Sequence, residues 1–71
     1  MKYTRIKDLR EDLDKTQAEF AKSIGLYTTT YQRYERGERM IPFDIVVTIA
    51  KTYNISLDYL AGLIPTPKKL Y

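Results

Sequence analysis

Polar side chains recur along residues 28–36 at spacings that put them on one side of a helix. At about 100° per residue, they fall within an arc of about 140° that holds Thr28, Gln32, Arg36, Thr29 and Arg33. Tyr31 and Tyr34 fall on the opposite arc. An Arg fork can bind O6 and N7 of guanine, Gln can bind adenine in the same way, and a Thr methyl can contact the thymine methyl. The outer arc therefore has the chemistry needed to read base edges in DNA.

A polar outer arc is also the ordinary solvent face of an amphipathic helix, so it does not establish DNA binding alone. Groups suited to phosphate lie around it. Thr16 and Gln17 stand at the predicted start of a helix, and Arg36 and Arg39 stand at and beyond the end of the third one. The capping box, the Gly25 turn and the Gly37 stop are each common, and only their combined spacing counts in favour of a nucleic-acid interface; at this point the solvated face remains open.

Five segments with helical periodicity must position these side chains, and none reads as a strand. The first runs from Thr4 to about Asp14, with an apolar stripe of Ile6, Leu9 and Leu13. The second opens with a capping box formed by Thr16 and Glu19, and Gly25 provides its left-handed end. The pattern predicts a compact all-α, five-helix domain.

The third helix is predicted over Thr28 to Arg36, with Gly37 as its stop. Tyr27 occupies the position where Ser, Thr or Asp usually caps a helix, so two starts remain open. Either the helix begins uncapped, or Thr28 caps it and is thereby less available to a base. The fourth helix begins near Pro42 and should be the most enclosed.

Ser56 is predicted to cap a short fifth helix that ends at Gly62. Two prolines, Pro65 and Pro67, then exclude a further helix. We therefore assign residues 1–63 to one domain, with the helix-turn-helix at 16–37, and residues 64–71 to a tail or the start of a linker.

Composition limits the alternatives. The 71 residues suffice for one domain, and 12 Lys and Arg against 9 Asp and Glu give a net charge of +3, a mild basic bias. The chain has no Cys and no His, so we expect no metal site, no cofactor and no catalytic residues. Its longest apolar run, Ile45 to Val47, is too short for a membrane span, and we expect a cytoplasmic protein that is nucleoid-associated when bound to DNA.

The chain resembles the Cro/C1-type (Xre-like) helix-turn-helix family of phage and bacterial repressors over roughly residues 4–63. The residues that carry the resemblance begin with a run in the second helix and continue through the third and fifth: Gln17 to Ala21, Ile24, Gly25, Tyr31, Tyr34 to Gly37, Pro42 and Leu57 to Gly62. The resemblance implies a third helix that lies in the major groove of double-stranded DNA.

By position, the resemblance assigns base reading to four outward residues of the third helix: Thr28, Thr29, Gln32 and Arg33. It assigns phosphate contacts to Thr16, Gln17, Arg36 and Arg39, with Thr30 as a weaker candidate. It also implies a structural ion pair between Arg10 and Glu35, which would brace the first helix against the third.

The resemblance implies a transcriptional repressor or regulator that binds a two-fold operator as a homodimer, with recognition helices about 34 Å apart. The most apolar C-terminal stretch is the candidate dimer surface, although it could equally be a core face: Tyr59, Leu60, Leu63 and Ile64. The alternative function is a protein-interaction module, such as an antitoxin or anti-repressor that keeps the fold. An enzyme is disfavoured, because no convergent carboxylate pair or Gly-rich phosphate loop is present.

Overall fold

The computed structural model describes residues 4–69, so the outer ends of the predicted domain and tail (1–3 and 70–71) lie outside the described residues. This part of the chain is all-helical and contains no strand, which confirms the predicted fold class. The five helices are α1 (Thr4–Asp12), α2 (Gln17–Ser23), α3 (Thr28–Arg36), α4 (Phe43–Tyr53) and α5 (Leu57–Leu60).

Side chains cap two of these helices as the sequence predicts. The Glu19 amide donates to Thr16 Oγ1 at 3.1 Å, and the Thr16 amide donates to Glu19 Oε1 at 2.9 Å. This reciprocal pair is the predicted capping box and satisfies two amides at the start of α2. The Ser56 hydroxyl likewise accepts from the Tyr59 amide at 3.2 Å, at the start of α5.

The first helix ends earlier than its apolar stripe suggested. α1 stops at Asp12, and Asp14 adopts a left-handed conformation with φ of 55°. Ile6 and Leu9 are buried, but Leu13 lies past the helix and is 39% exposed. The prediction that Leu13 belongs to the buried stripe is therefore wrong, because α1 ends before Leu13 and the chain turns at Asp14, directly after it.

A short turn connects α2 to α3. Ile24 ends α2, Gly25 has φ of 76°, and the Leu26 amide donates to the Ala21 carbonyl at 2.9 Å. Tyr27 precedes α3 and its side chain makes no capping hydrogen bond, so α3 begins at Thr28 without a side-chain cap. Of the two starts that the sequence left open, the structure has the uncapped one.

An aromatic cluster ties α3 to its neighbours. The Phe20 ring stacks on the Tyr53 ring at 5.2 Å between centroids and 7° between planes, and it lies 5.2 Å from the tilted Tyr31 ring. Phe20 and Tyr31 are both fully buried, and the Tyr53 hydroxyl hydrogen-bonds to Ser23. The cluster joins α2, α3 and α4, so the inner face of α3 is fixed in the core.

The fourth helix contributes three buried side chains, Val46, Ile49 and Ala50, more than any other helix of the described chain. Its start differs slightly from the prediction, since Pro42 is the residue before the helix rather than part of its first turn. Phe43, the first helical residue, is 64% exposed, so this end of α4 is open to solvent.

The described part of the C-terminal segment lies against the helices. Ile64 packs against the core, and the Ser56 amide donates to the Lys68 carbonyl at 2.7 Å. Residues 64–68 therefore stay close to the start of α5. No helix within residues 4–69 is long and apolar enough to cross a membrane.

Candidate nucleic-acid interface

The outer side of α3 presents the polar residues that the helical projection placed there. Thr29 and Arg33 are exposed, and Thr28 and Gln32 are half-buried. On the inner side, Tyr31 is fully buried and Tyr34 packs against the core. Because Tyr31 anchors the inner side, the outer side projects from the domain as a fixed surface.

Thr28 is the first residue of α3, and the residue before it, Tyr27, occupies the capping position. Its hydroxyl is therefore not used to cap the helix. Capping therefore does not reduce the availability of the Thr28 hydroxyl to a base. Thr28, Thr29 and Thr30 occupy the first turn of α3, at the end nearest Gly25.

The phosphate candidates differ in how free their polar groups are. Thr16 is exposed, and because its oxygen accepts from Glu19, its hydroxyl hydrogen remains available as a donor. Arg39 is exposed, whereas Arg36 Nη2 lies 3.3 Å from Glu38 Oε2 in an exposed ion pair. Phosphate would therefore compete with Glu38 for Arg36. The remaining candidate on α3, Thr30, is half-buried.

An ion pair joins α1 to α3 behind this surface. Arg10 Nε donates to Glu35 Oε2 at 2.7 Å, and Arg10 Nη2 donates to Glu35 Oε1 at 3.3 Å. Arg10 Nη1 also donates to the Lys15 carbonyl at 2.9 Å, just before the capping box of α2. The Arg10 and Glu35 side chains are only 13% and 6% exposed, so this pair is largely shielded from water.

Gln17 connects the ion pair to the outer surface. Its Nε2 donates to Glu35 Oε1 at 3.0 Å, and its Oε1 accepts from Gln32 Nε2 at 3.1 Å. A continuous hydrogen-bond chain thus runs from Arg10 through Glu35 and Gln17 to Gln32. Gln17 and Gln32 were predicted as a phosphate contact and a base contact, and the hydrogen bond between them was not predicted, because the residues belong to different helices and no local spacing links them.

The pKa values of both members of the ion pair and of the nearby Tyr31 are shifted. Burial alone would raise the pKa of Glu35, but hydrogen bonds, the strongest of them from Arg10, outweigh it and lower the pKa below its ordinary value. The same contact raises the pKa of Arg10. Burial and the nearby Glu35 carboxylate raise the pKa of Tyr31, whose hydroxyl is buried without a hydrogen-bond partner among the described residues.

The residues of the predicted dimer surface differ in burial. Tyr59 and Leu60 are 4% and 0% exposed, and they belong to the core of this chain rather than to a surface. Their assignment to a dimer interface is corrected accordingly, because the apolar side of α5 packs inward. Leu63 is 72% exposed, and Ile64 is half-buried against the core.

The turn before α3 presents an exposed aromatic side chain. Tyr27 is 84% exposed and lines a shallow groove between α2 and the start of α3. Lys22, on the last turn of α2, lines the same groove.

Within the described part of the chain, no group of three or more Asp and Glu side chains is arranged to hold a metal ion.

Comparison with known proteins gives one family and several relatives. A family model described as helix-turn-helix matches residues 6–60. The transcriptional repressor RstR of the cryptic phage CTXphi, from Vibrio cholerae serotype O1, is 40% identical over 58 residues, which are 82% of this chain and 52% of that protein.

Two further relatives have regulatory or antitoxin names. The uncharacterized HTH-type transcriptional regulator YobD of Bacillus subtilis is 33% identical over 63 residues, covering 89% of this chain and 56% of that protein. The antitoxin PezA of Streptococcus pneumoniae is 33% identical over 57 residues, covering 80% of this chain and 36% of that protein. The chain spans about half the length of the first two relatives.

No solved structure gives a significant match. The family model covers α2, the turn at Gly25 and α3, together with most of the residues that form the core around them. The chain belongs to the Cro/C1-type helix-turn-helix family.

Proposed function

We propose that this chain is a sequence-specific DNA-binding domain of a transcriptional regulator, in which α3 enters the major groove. The observation that carries the proposal is the division of α3. Arg33 and Thr29 project outward beside Gln32, while the buried Tyr31 holds the opposite side in the core. A fixed helix with an Arg, a Gln and Thr groups on its open face matches the donors and acceptors of base edges.

Four residues are assigned to base reading in this proposal: Thr28, Thr29, Gln32 and Arg33. The phosphate contacts are assigned to the start of α2, to two residues of α3 and to one residue beyond α3: Thr16, Gln17, Thr30, Arg36 and Arg39. This arrangement follows the general division of protein–DNA contacts, in which phosphate contacts position the protein on the duplex and base contacts determine which sequence it recognises. Arg33 is the strongest single candidate, because it is exposed and can bind guanine through two hydrogen bonds.

The regulator acts as a homodimer on a two-fold DNA site in this proposal. Paired helix-turn-helix domains place their recognition helices about one DNA turn, roughly 34 Å, apart. Leu63, exposed beside the half-buried Ile64, is the apolar surface that we assign to the dimer contact. The names of the relatives RstR and YobD, a transcriptional repressor and a transcriptional regulator, support the regulatory role.

An antitoxin-like protein-interaction module is the second candidate. The observation in its favour is the match to PezA, whose name identifies it as an antitoxin. Such a module would keep the helices but bind mainly a protein. The modest net charge of +3 is compatible with both functions.

The salt dependence of binding to duplex DNA distinguishes these functions. A DNA reader releases counterions for every phosphate it neutralises, so the logarithm of its association constant falls with the logarithm of salt concentration by about 0.9 per phosphate. We expect a steep fall in affinity between roughly 50 and 200 mM salt. An affinity that stayed flat over this range would contradict DNA binding and favour the protein-interaction module.

A further inference from the structure

Two arginine–glutamate pairs involve adjacent residues at the end of α3, and their geometries are opposite. Glu35 accepts two hydrogen bonds from Arg10, the shorter of them 2.7 Å, and the side chains of this pair are 6% and 13% exposed. Arg36 Nη2 lies 3.3 Å from Glu38 Oε2, and the side chains of this second pair are 60% and 55% exposed. The first pair is shielded from water, whereas the second is longer and open to solvent.

The backbone at the end of α3 holds Glu38 beside this helix. Gly37 has φ of 77°, and its amide donates to the Tyr34 carbonyl at 3.2 Å. The Glu38 amide donates to the Arg33 carbonyl at 3.0 Å. These two bonds form a Schellman motif, which ties the chain after a left-handed glycine back onto the end of the helix. The backbone therefore fixes Glu38 next to the C-terminal end of α3.

Glu38 is the one acidic residue of positions 28–39 whose side chain is open to solvent. The other acidic residue of this range, Glu35, has a side chain that is only 6% exposed. The cationic residues of the same range are all exposed: Arg33, Arg36 and Arg39. The Glu38 carboxylate therefore lowers the positive charge that this end of α3 presents to an anion.

A DNA phosphate and the Glu38 carboxylate would compete for the same guanidinium. Both are anions that accept hydrogen bonds from arginine, so a phosphate that binds Arg36 must either displace Glu38 or lie close to it. In the first case the ion pair is lost, and in the second two negative charges repel each other. Exposed ion pairs are weak, so this competition reduces phosphate binding without preventing it.

We propose that Glu38 limits the affinity of this domain for DNA by occupying Arg36 in the free protein. The proposal rests on the proposed function, since it assumes that Arg36 contacts a phosphate. Phosphates carry no direct sequence information, so Glu38 lowers the affinity for every duplex by a similar factor and leaves base choice to the outer side of α3. Glu38 is thus a positioning residue that acts through Arg36, and its neutralisation strengthens binding.

Binding of the complete chain and its variants to two duplexes tests this role. One duplex carries the site selected from a random pool, and the other carries the same bases in scrambled order. The variants are Glu38→Gln, Arg36→Ala, the double variant, and Glu11→Gln, which removes an exposed carboxylate from α1 and raises the net charge by the same amount. Each affinity is measured between roughly 50 and 200 mM salt. Urea unfolding verifies that every variant is folded.

Glu38→Gln should bind both duplexes about two- to fivefold more tightly than the unchanged protein, a range that corresponds to the strength of an exposed ion pair. The ratio between the two duplexes should not change. Because Arg36 then neutralises a phosphate without a competing anion, the log–log salt dependence should steepen by up to about 0.9. Glu11→Gln should change affinity and slope much less. On the Arg36→Ala background, Glu38→Gln should lose most of its effect.

Weaker binding by Glu38→Gln would overturn the inference, because it would mean that the carboxylate orients Arg36 towards phosphate. A gain no larger than that of Glu11→Gln, or one that persists in full without Arg36, would also overturn it, since Glu38 would then act only through net charge. In these cases the sequence preference of the unchanged protein would still stand. A wild-type protein that bound the two duplexes equally would contradict sequence reading alone. One that bound neither duplex would refute both the inference and the proposed function.

Discussion

Arg10 and Glu35 form a bidentate ion pair between α1 and α3, with Arg10 Nε 2.7 Å from Glu35 Oε2. The pair does more than join two helices. Arg10 also donates to the Lys15 carbonyl, and Glu35 accepts from Gln17 at the start of α2. One pair of largely buried charges therefore links groups of all three N-terminal helices.

We predict that Glu35→Gln destabilises the domain by about 3 kcal/mol, because it leaves the Arg10 guanidinium buried without a counter-charge. Glu38→Gln is the matched control. Glu38 pairs with Arg36, and their side chains are 55% and 60% exposed, so its loss should cost less than about 1 kcal/mol. Urea unfolding measures both. Equal small effects would show that the Arg10–Glu35 pair is not a structural support.

Acidification should remove the contribution of Glu35. Its pKa is lowered in the folded chain relative to the ordinary value of 4.5, so its stabilising effect is present above about pH 4.5. That effect is lost as the pH falls through the folded pKa. The difference in unfolding free energy between the wild-type protein and Glu35→Gln should narrow over this acidic range. The pKa of Glu19 is also lowered, through the capping box, so the variant retains part of the acid dependence. A constant difference down to pH 2 would contradict this account.

The two tyrosines that flank Phe20 should respond differently to loss of their hydroxyl groups. Tyr31 buries a hydroxyl without a hydrogen-bond partner among the described residues, so Tyr31→Phe should leave stability unchanged or raise it by up to about 1 kcal/mol. Tyr53→Phe removes the hydrogen bond to Ser23 and should cost about 1 kcal/mol. Thermal unfolding compares the two. A larger loss for Tyr31→Phe would mean that its hydroxyl supports the adjacent ion pair.

Substitution of Leu60 should affect folding, whereas substitution of Leu63 should affect dimer formation. Leu60 is fully buried, and Leu60→Ala should destabilise the domain by about 2–5 kcal/mol. Leu63 is 72% exposed, and Leu63→Ser should change stability by less than about 0.5 kcal/mol. Under the proposed dimer contact, Leu63→Ser weakens binding to a two-fold site but not to an isolated half-site. If Leu63→Ser bound the two-fold site and the half-site each as tightly as the unchanged protein does, Leu63 would be excluded from the dimer contact.

Local sequence signals predicted much of the fold. The capping box at Thr16 and Glu19, the left-handed glycine at Gly25 and the Ser56 cap each depend on residues a few positions apart. The split of α3 into an aromatic and a polar side follows in the same way from helical periodicity alone. These features are local, so a single sequence is enough to recognise them.

Relationships between helices were harder to predict. Apolar composition could not tell that Leu60 points into the core while Leu63 points outward, because that depends on how α5 packs. Likewise, the link from Gln17 to Gln32 and Glu35 requires α2 and α3 to be in place. The Arg10–Glu35 pair was anticipated through family resemblance rather than through any local pattern.

The central claim is that the outer side of α3 reads DNA sequence, and selection of bound duplexes from a random pool tests it most directly. The wild-type protein should enrich a two-fold symmetric site with half-sites about one DNA turn apart. Arg33→Ala should lose the preference at one base pair per half-site, at a cost of about 1–3 kcal/mol. Arg39→Ala should weaken all duplexes similarly and keep the same consensus. No enrichment by the wild-type protein, or the same change of consensus in both variants, would contradict the account.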